Sequence, residues 1–380
     1  MPLPAEARID LNAIRDNVVQ LRGHVGPAEV MAVVKADGYG HGLLAAARAA
    51  RAGGASWLGV ALLQEALQLR QAGIPGRILA WLITPGEAWG QAIQADIDLS
   101  ANDVWAIEEI AAAAEQVGRS ARLHLKVDSG LGRAGAQPHD WPALVDAALK
   151  AQADGHVTVV GLWSHFAYAD APGHATIARQ IEAFRDAVAL AERAGVRPEV
   201  RHLANSAATL TLPDAHFDLV RPGLAVYGLS PAPEVGDPST FGVRPAMTLT
   251  ARLALVKRVP AGHGISYGHQ YITQRSTALG LIPMGYADGV PRHASNTGPL
   301  LVAGKRRVIA GRVCMDQFVV DLGDDAAAAG DEVVLFGPGE AGEPTAEDWA
   351  RAVGTISYEI VSRIGPRVPR VYRGDVAVAG

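Results

Sequence analysis

Eight short apolar runs alternate with helical patterns between residues 30 and 221, and this alternation limits the fold more than any other feature. The strand-like runs cover residues 30–35, 57–62, 77–83, 96–99, 121–128, 157–165, 200–205 and 217–221. Helical patterns separate most of them, and several end in glycine, as helix C-termini often do. Strands alternating with helices predict parallel βαβ units. Eight such units favour a closed (β/α)₈ barrel, although periodicity alone does not exclude an open doubly wound sheet.

The pattern changes near residue 230, and the change predicts a second domain. The segment SPAPEVGDPSTFGVRP is rich in proline, glycine and serine, a composition typical of a linker. Beyond it, MTLTARLALVKRV, TALGLIPMGYADG and RVIAGRVCMDQFVVDLG predict strands, whereas TAEDWARAVG predicts a helix. Because 380 residues suit two domains, we expect a barrel domain over residues 1–235 and a mostly β domain over residues 236–380.

The charge of the chain argues against nucleic-acid and membrane partners. Its formal net charge is −5 and its basic residues are scattered, so no strongly positive surface is expected. No apolar run approaches the roughly 18 residues of a membrane span, and the N-terminus shows no secretory signal. The single cysteine, Cys314, cannot form an intrachain disulfide, which fits a reducing compartment. We therefore expect a soluble cytoplasmic protein.

Lys35 ends the first apolar run, in the segment AVVKADGYGHG, and Gly38, Gly40 and Gly42 follow it. Lysines often end strands where the chain reaches water. From its position alone, Lys35 is explained equally well by such a structural role and by a functional one. Lysine is much rarer than arginine in this chain, however, and only lysine forms imines with carbonyl compounds. A dinucleotide-binding loop does not fit, because the third glycine of that motif would fall at Leu43.

Polar residues collect at the ends of the later strands. The fifth run places three of them on one face of its strand, namely His124, Lys126 and Asp128. The sixth run ends in His165, the seventh in His202, Asn205 and Ser206, and the eighth in Arg221 and Gly223. Any one of these residues alone could be a structural side chain whose polar atoms have hydrogen-bond partners in the core or at the rim of the barrel. Because barrel enzymes bind substrates at the C-terminal ends of their strands, the set predicts an active site there.

The ends of the seventh and eighth strands are where barrels commonly bind phosphate. Ser206 begins the predicted helix SAATLTL, whose free backbone N–H groups would attract an anion. Gly223 allows another backbone to approach closely. A phosphate site together with an imine-forming lysine indicates pyridoxal 5′-phosphate (PLP).

At these residues the chain resembles the alanine racemase family, over nearly its whole length. The matching motifs are AVVKADGYGHG, KVDSGLGRAG, SHFAYAD, HLANSAATL, VRPGLAVYGL, ISYG, IPMGYADG, GRVCMDQ and SYEI. The resemblance implies a PLP-binding (β/α)₈ barrel, a C-terminal β domain, and a homodimer in which each β domain covers its partner's barrel. It implies interconversion of L-alanine and D-alanine, with D-alanine supplied for peptidoglycan. A racemase of serine or of broad specificity would carry the same motifs.

The resemblance also implies a role for each matching residue. Lys35 would bind PLP as an imine and act as one base, and Tyr267 would be the base on the opposite face. Arg221 would face the pyridine nitrogen, where its permanent charge disfavours a proton and limits side reactions such as transamination. The other implied cofactor contacts are Tyr39, His165, His202, Ser206, Gly223, Leu224 and Tyr358. The implied substrate contacts are Arg133, Met315, Tyr286 and Asp316.

Lys126 has two interpretations. The resemblance implies that it is carbamylated, which turns it into an anion that orients Arg133; otherwise it forms a salt bridge with Asp128 or another acid at the rim. Metal-dependent barrel hydrolases can also carry a carbamylated lysine, but they need two histidines one residue apart on the first strand. The first strand of this chain has none, so no metal is expected.

Overall fold

A computed structural model describes residues 3–376, and these residues form two compact units. The barrel unit contains Ile14–Gly38 and Leu43–Val243. The β unit contains the described residues up to Ala13, together with Tyr39–Gly42 and Arg244–Asp375. Among the described residues, no helix combines the length and the apolar character needed to cross a bilayer.

The barrel unit is built on eight parallel strands. Strand β1 (Ala5–Asp10) precedes them and lies in the β unit. The barrel strands are β2 (Glu29–Val33), β3 (Trp57–Val60), β4 (Arg77–Ala80), β5 (Asp98–Ala101), β6 (Ala121–Lys126), β7 (Val157–Trp163), β8 (Val200–His202) and β9 (Leu219–Val220). Their order is β8-β7-β6-β5-β4-β3-β2-β9, and each strand is parallel to its neighbours.

The two ends of this sheet also meet. The backbone N–H of Asp218 donates to the carbonyl of Arg201 at 3.1 Å, and the N–H of Arg221 donates to the carbonyl of Ala204 at 2.9 Å. These bonds link the segments around β8 and β9, so the sheet is a nearly closed barrel. The predicted (β/α)₈ barrel is therefore confirmed, and each of the eight predicted runs overlaps one barrel strand.

Helices precede and connect the barrel strands. They span Leu11–Val25, Leu43–Ala52, Leu63–Gln71, Trp89–Gln94, Val104–Val117, Trp141–Ala153, Ala175–Ala194 and Ser206–Thr211, with 3₁₀ turns at Pro213–Ala215, Leu224–Tyr227 and Pro238–Phe241. The helix Val104–Val117 begins after Asp103, whose carboxylate accepts the N–H of Trp105 at 3.4 Å. It buries Ile107 and ends at Val117, and the following Gly118 caps it with a left-handed φ of 66° that suits glycine.

The interior of the barrel contains both apolar and polar side chains. One buried apolar cluster consists of Met31, Trp57, Leu79, Val200 and Leu219. Asp98, His124 and His202 are also fully buried, each with 0% of its surface exposed. Branched apolar residues usually fill barrel interiors, and a buried polar group without a partner costs free energy. These three polar side chains therefore require partners inside the barrel.

The β unit contains three sheets. Its other strands are β10 (Met247–Arg252), β11 (Leu255–Val259), β12 (Gly264–Ile265), β13 (Tyr271–Ile272), β14 (Thr277–Ile282), β15 (Pro299–Val302), β16 (Lys305–Val308), β17 (Phe318–Gly323), β18 (Glu332–Phe336) and β19 (Arg370–Arg373). The sheet orders are β16-β15-β18-β10-β1-β19, β11-β14-β17 and β12-β13. Its helices span Ala346–Val353 and Ser357–Ser362, with 3₁₀ turns at Tyr267–His269, Tyr286–Asp288 and Arg292–Ala294. The predicted strand-rich second domain is confirmed.

The first strand belongs to the C-terminal sheet, which the sequence pattern did not predict. Strand β1 pairs antiparallel with β10, where Ala7 faces Leu249, and parallel with β19, where Ala7 faces Arg370. Within β1, only alternate residues are buried, and Ile9 is the single large apolar side chain among them. So short and weak an alternation gives little signal in the sequence.

Candidate active site

Lys35 begins a left-handed turn that follows β2. Ala36, Asp37, Gly38 and Tyr39 have φ angles of 53°, 53°, 61° and 53°. The left-handed conformation costs a non-glycine residue roughly 1–2 kcal/mol. Strain of this kind persists only where the surroundings hold it, and it collects at functional sites. The turn therefore marks Lys35 as a residue whose position is tightly set.

Three hydrogen bonds of the barrel unit hold this turn. The N–H of Gly38 donates to the carbonyl of Val34 at 2.9 Å, and the N–H of Leu43 donates to the Asp37 carboxylate at 2.7 Å. The N–H of Ala36 donates to a carboxylate oxygen of Glu65 at 2.6 Å. These bonds fix the backbone immediately after the lysine.

The glycines of this segment are required by close packing. At Gly38, an added Cβ would lie 3.0 Å from the Cβ of Ala46. At Gly40, which has a φ of 80°, an added Cβ would lie 2.3 Å from the carbonyl oxygen of Val361 in the β unit. The glycine-rich stretch after Lys35 is thus explained by backbone geometry.

The surroundings of Lys35 favour its neutral amine. Burial lowers the pKa of Lys35, and the nearby guanidinium groups of Arg133 and Arg221 lower it further, while Glu65 acts in the opposite direction. The Nζ atom lies 5.9 Å from the centroid of the Trp81 ring. A neutral amine is the form that attacks a carbonyl group or accepts a proton.

Lys126, at the end of β6, is a second lysine with a perturbed amine. Burial lowers its pKa to about 7, with further lowering by Arg221 and Arg133. Its Nζ lies 4.1 Å from the centroid of the Trp163 ring. Within the described part of the chain, no hydrogen bond or ion pair holds this nitrogen, so the salt bridge to Asp128 is absent.

The Asp128 carboxylate binds backbone N–H groups of the following loop. It accepts the backbone N–H groups of Gly130 and Leu131, each at 2.9 Å, and that of Gly132 at 3.0 Å. These bonds shape the loop that carries Arg133. The Arg133 side chain is exposed and lies close enough to lower the pKa of both Lys35 and Lys126.

Arg221, just after β9, is buried and held on several sides. Its Nη1 lies 3.0 Å from Nδ1 of His202, and its Nη2 donates to the carbonyls of Ser164 at 2.8 Å and Leu203 at 3.2 Å. Nη2 also lies 3.2 Å from Nδ1 of His165. Burial lowers the pKa of Arg221 to about 9. Among the described residues, nothing accepts its Nε–H, which leaves one donor for a ligand.

The surroundings of both histidines beside Arg221 favour the neutral ring. Burial lowers the pKa of His165 and of His202 well below the ordinary range, and the charge of Arg221 adds to the effect. Since arginine only donates hydrogen bonds, each ring nitrogen that faces it must be an acceptor. His202 is also stacked on Trp163, with 5.5 Å between the ring centroids.

The segments after β8 and β9 form a cluster of hydroxyl and backbone N–H groups. The Ser206 hydroxyl accepts the N–H of Gly223 at 2.7 Å and that of Ala225 at 3.3 Å. Asn205 caps the helix Ser206–Thr211 through the N–H of Ala208 at 3.1 Å, and Leu224 begins the 3₁₀ turn Leu224–Tyr227. Because the Ser206 hydroxyl accepts two N–H groups, its own proton is left to donate to an anion.

The remaining predicted residues lie in the β unit. The rings of Tyr39 and Tyr358 are 6.2 Å apart, and burial raises the pKa of Tyr39. Asp316 forms an ion pair with Arg367 at 2.7 Å. Tyr267, Met315 and Tyr286 are exposed by 71%, 53% and 41%.

These three exposed side chains project from segments that are hydrogen-bonded to each other. The hydroxyl of Ser266, next to Tyr267, lies 3.3 Å from the sulfur of Cys314. The N–H of Tyr286 donates to the carbonyl of Cys314 at 3.0 Å. Met315 follows Cys314 directly, so the three exposed side chains form one patch, which is typical of an interaction surface.

Two residues that shape the site were missed in the sequence. Glu65 supports the left-handed turn, and Asp98 lies at the end of a hydrogen-bonded chain that leads to Arg221. A charged residue between Ile97 and Leu99 in a predicted strand was the available signal for Asp98. Among the described residues, no group of three or more His, Cys, Asp and Glu side chains could hold a metal ion.

Comparison with known proteins gives a consistent result over the whole chain. The family model "Alanine racemase, N-terminal domain" matches residues 9–231, and "Alanine racemase, C-terminal domain" matches residues 246–372. Alanine racemase of Frankia casuarinae is 63% identical over 366 residues, which is 96% of this chain and 95% of that protein.

Solved structures agree with this result. The crystal structure of alanine racemase from Streptomyces lavendulae has a TM-score of 0.98 and 62% identity, and the alignment covers 99% of this chain and 98% of that one. The alanine racemase of Bacillus anthracis with bound L-Ala-P has a TM-score of 0.90 and 34% identity, with 100% and 98% covered. The resemblance noted from the motifs is thus confirmed, and the chain belongs to the alanine racemase family.

Proposed function

We propose that this chain is a PLP-dependent alanine racemase that interconverts L-alanine and D-alanine and supplies D-alanine for peptidoglycan. The observation that carries the proposal is the placement of Lys35 and Arg221 after neighbouring barrel strands, close enough for the arginine to lower the pKa of the lysine. The relatives of this chain are named alanine racemases, and the chain spans them almost completely.

The side chains of the barrel unit fit PLP. Lys35 offers an amine that can bind an aldehyde, and the Nε–H of Arg221 offers a donor to a ring nitrogen. The Ser206 hydroxyl, which accepts the N–H groups of Gly223 and Ala225, keeps its own proton as a donor to a phosphate. When bound, PLP would withdraw electrons from the Cα of the amino acid and so make its proton acidic enough to leave.

We assign the two proton transfers to Lys35 and Tyr267. Racemisation needs a proton taken from one face of Cα and another delivered to the opposite face, which two bases accomplish. Burial and the charges of Arg133 and Arg221 lower the pKa of Lys35, which favours the neutral amine that can accept a proton. Tyr267 is exposed and belongs to the β unit, so we propose that it acts on the active site of a partner chain.

The exposed patch of Tyr267, Tyr286 and Met315 supports a homodimer with shared active sites. Large apolar side chains that are exposed together usually meet a partner. We propose that the β unit of one chain covers the barrel of the other. Tyr286, Met315 and Asp316 then line the approach of the substrate.

We assign the remaining site residues by charge and position. Arg133 would bind the carboxylate of alanine, because its guanidinium is exposed and the charged pair is favourable. Lys126 would be a carbamate, since its pKa of about 7 makes the reactive neutral amine available. Tyr39, Tyr358, His165, His202 and Leu224 would complete the cofactor site. The domain limits 1–235 and 236–380 and the cytoplasmic location remain predictions.

A panel of amino acids tests the proposed function. Purified protein loaded with PLP is incubated with L-alanine, L-serine and other L-amino acids, and chiral chromatography follows the D-enantiomers. We expect alanine to racemise fastest. Faster racemisation of serine would indicate a racemase of different specificity, and no D-amino acid from any substrate would overturn the proposal.

Covalent labelling tests the role of Lys35 independently of activity. Borohydride reduction followed by peptide mass spectrometry should place the PLP mass on Lys35. The variant Lys35→Ala should lose the label, whereas Lys257→Ala, which removes an exposed lysine of β11, should keep it. A label on another lysine would show that Lys35 has been assigned wrongly.

A further inference from the structure

A chain of hydrogen bonds runs through the barrel interior from Arg221 to Asp98. Nη1 of Arg221 lies 3.0 Å from Nδ1 of His202, and Nε2 of His202 lies 2.9 Å from Nδ1 of His124. Nε2 of His124 lies 3.2 Å from Oδ2 of Asp98. No member is more than 4% exposed. Unsatisfied polar groups are costly inside a protein. Each hydrogen bond in this series therefore needs one donor and one acceptor, which depends on where the histidine protons lie.

Only one arrangement of protons gives every bond in this chain one donor and one acceptor. Arginine can only donate, so Nδ1 of His202 accepts and its proton is on Nε2. That N–H donates to Nδ1 of His124, whose own proton is therefore also on Nε2. From there it donates to the Asp98 carboxylate. A second proton on either histidine would leave two donors facing each other.

Neighbouring residues of the barrel leave space for the two hydrogen-bonded imidazole rings and pack against them. An added Cβ at Gly161 of β7 would lie 2.0 Å from Nδ1 of His124, where that atom meets His202. His124 packs edge-on against Trp57 at 5.5 Å, and His202 is stacked on Trp163 at 5.5 Å. The two imidazoles are thus held in the orientation that connects them.

Two arginines hold the Asp98 carboxylate, which is the last member of this series of hydrogen bonds. Arg77 donates from Nη2 to Oδ2 of Asp98 at 2.6 Å, and Arg122 donates from Nε to Oδ1 at 2.6 Å. Burial opposes the charge of Asp98, but the hydrogen bond from His124 and the charge of Arg77 outweigh it and lower the pKa of Asp98. Asp98 is therefore an ionised acceptor at the start of β5.

We propose that Asp98 is a positioning residue for Arg221: by fixing the proton of His124, and through it that of His202, Asp98 keeps an acceptor facing the guanidinium. It acts from the opposite end of the barrel, because it begins a strand whereas the site lies where the parallel strands end. The consequence for the reaction rests on the proposed function, in which Arg221 faces the pyridine nitrogen. An arginine held in place disfavours a proton on that nitrogen and so limits transamination.

Neutron diffraction from crystals of the PLP-loaded enzyme grown in D₂O tests the proton positions directly. We expect deuterium on Nε2 of both His124 and His202, and none on Nδ1 of either ring. Deuterium on Nδ1 of either histidine would overturn the inference. This measurement requires no variant and no turnover, so it decides the matter even if a substitution prevents folding.

Two substitutions that break the chain at different points test its effect on Arg221. Asp98→Ala removes both acceptor oxygens, and Gly161→Ala places a methyl group against Nδ1 of His124, where that atom meets His202. Asp96→Ala is the matched control, because Asp96 pairs with Arg122 at 2.6 Å and belongs to the same group of ion pairs. Among the described residues, Asp96 has no hydrogen bond to either histidine.

The readouts are the Arg221–His202 distance in crystal structures and the pyruvate formed per racemisation turnover. In both chain variants we expect the distance to exceed that of a hydrogen bond, and pyruvate per turnover to rise by about tenfold, the equilibrium effect of losing one buried hydrogen bond. Loss of folded protein alone would lower activity without changing this ratio. The inference would be overturned if the distance and the ratio stayed unchanged in both Asp98→Ala and Gly161→Ala, or if Asp96→Ala changed them equally. If the unaltered protein racemises no amino acid, the proposed function fails, while the neutron result stands independently.

Discussion

The side-chain nitrogen of Lys126 lies 4.1 Å from the centroid of the Trp163 ring, and the Asp128 carboxylate two residues further on binds backbone N–H groups instead. The lysine is therefore buried beside Arg221 and Arg133 without a carboxylate partner, and its pKa is lowered to about 7. An amine that is neutral near physiological pH is free to react.

The first prediction is that Lys126 takes up carbon dioxide. In protein equilibrated with ¹³C-bicarbonate at pH 8, NMR should detect a carbamate carbon that is missing from Lys126→Ala. Since the amine becomes protonated below its pKa of about 7, the signal should weaken as the pH falls through that value. A spectrum at pH 8 without this signal would contradict the assignment.

The second prediction concerns the stability cost of burying Lys126. Its pKa is about 7 in the folded protein and roughly 10.4 when unfolded. Below pH 7 the amine is protonated in both states, so burial lowers the free energy of unfolding by its full amount. This loss disappears as the pH rises toward 10, where the amine becomes neutral in both states. In carbon dioxide-free buffer, Lys126→Met should raise the free energy of unfolding more at pH 6 than at pH 9.

Chemical denaturation at both pH values measures this difference. Lys305→Met, which removes an exposed lysine, serves as the matched control and should show little pH dependence. An equal gain from Lys126→Met at both pH values would mean that the buried amine is not perturbed in this way.

The third prediction tests the strain at Ala36. Its φ of 53° is left-handed, so Ala36→Gly should remove steric strain and stabilise the fold by about 1 kcal/mol. The same substitution at Ala112, an exposed position inside the helix Val104–Val117, should instead destabilise by about 1 kcal/mol. Denaturant unfolding of both variants gives the two signs, and a loss of stability in both would argue against the strained turn.

The sequence predicted the barrel because its signal is periodic and repeated. It did not predict the left-handed turn, since Ala36 carries no local mark of that conformation. It also missed Asp98, whose meaning depends on His124 and Arg77, both more than 20 residues away along the chain. Residues at strand ends were found because their position relative to the strand is local, whereas partners across the barrel are set by the fold alone.

The fourth prediction concerns the origin of the two bases. If Lys35 and Tyr267 of one active site come from different chains, inactive Lys35→Ala and inactive Tyr267→Ala subunits should complement each other in a mixed dimer. One site of that dimer receives both substitutions, and the other receives neither. Random exchange makes about half of the dimers mixed, so about a quarter of the unaltered activity should return.

Subunits are exchanged in mild denaturant and racemisation of alanine is measured, with each variant treated alone as the control. Exchange can be verified by native mass spectrometry when one variant carries a tag. If both bases came from one chain, every site would carry one substitution, and proven exchange without recovered activity would rule out the shared site.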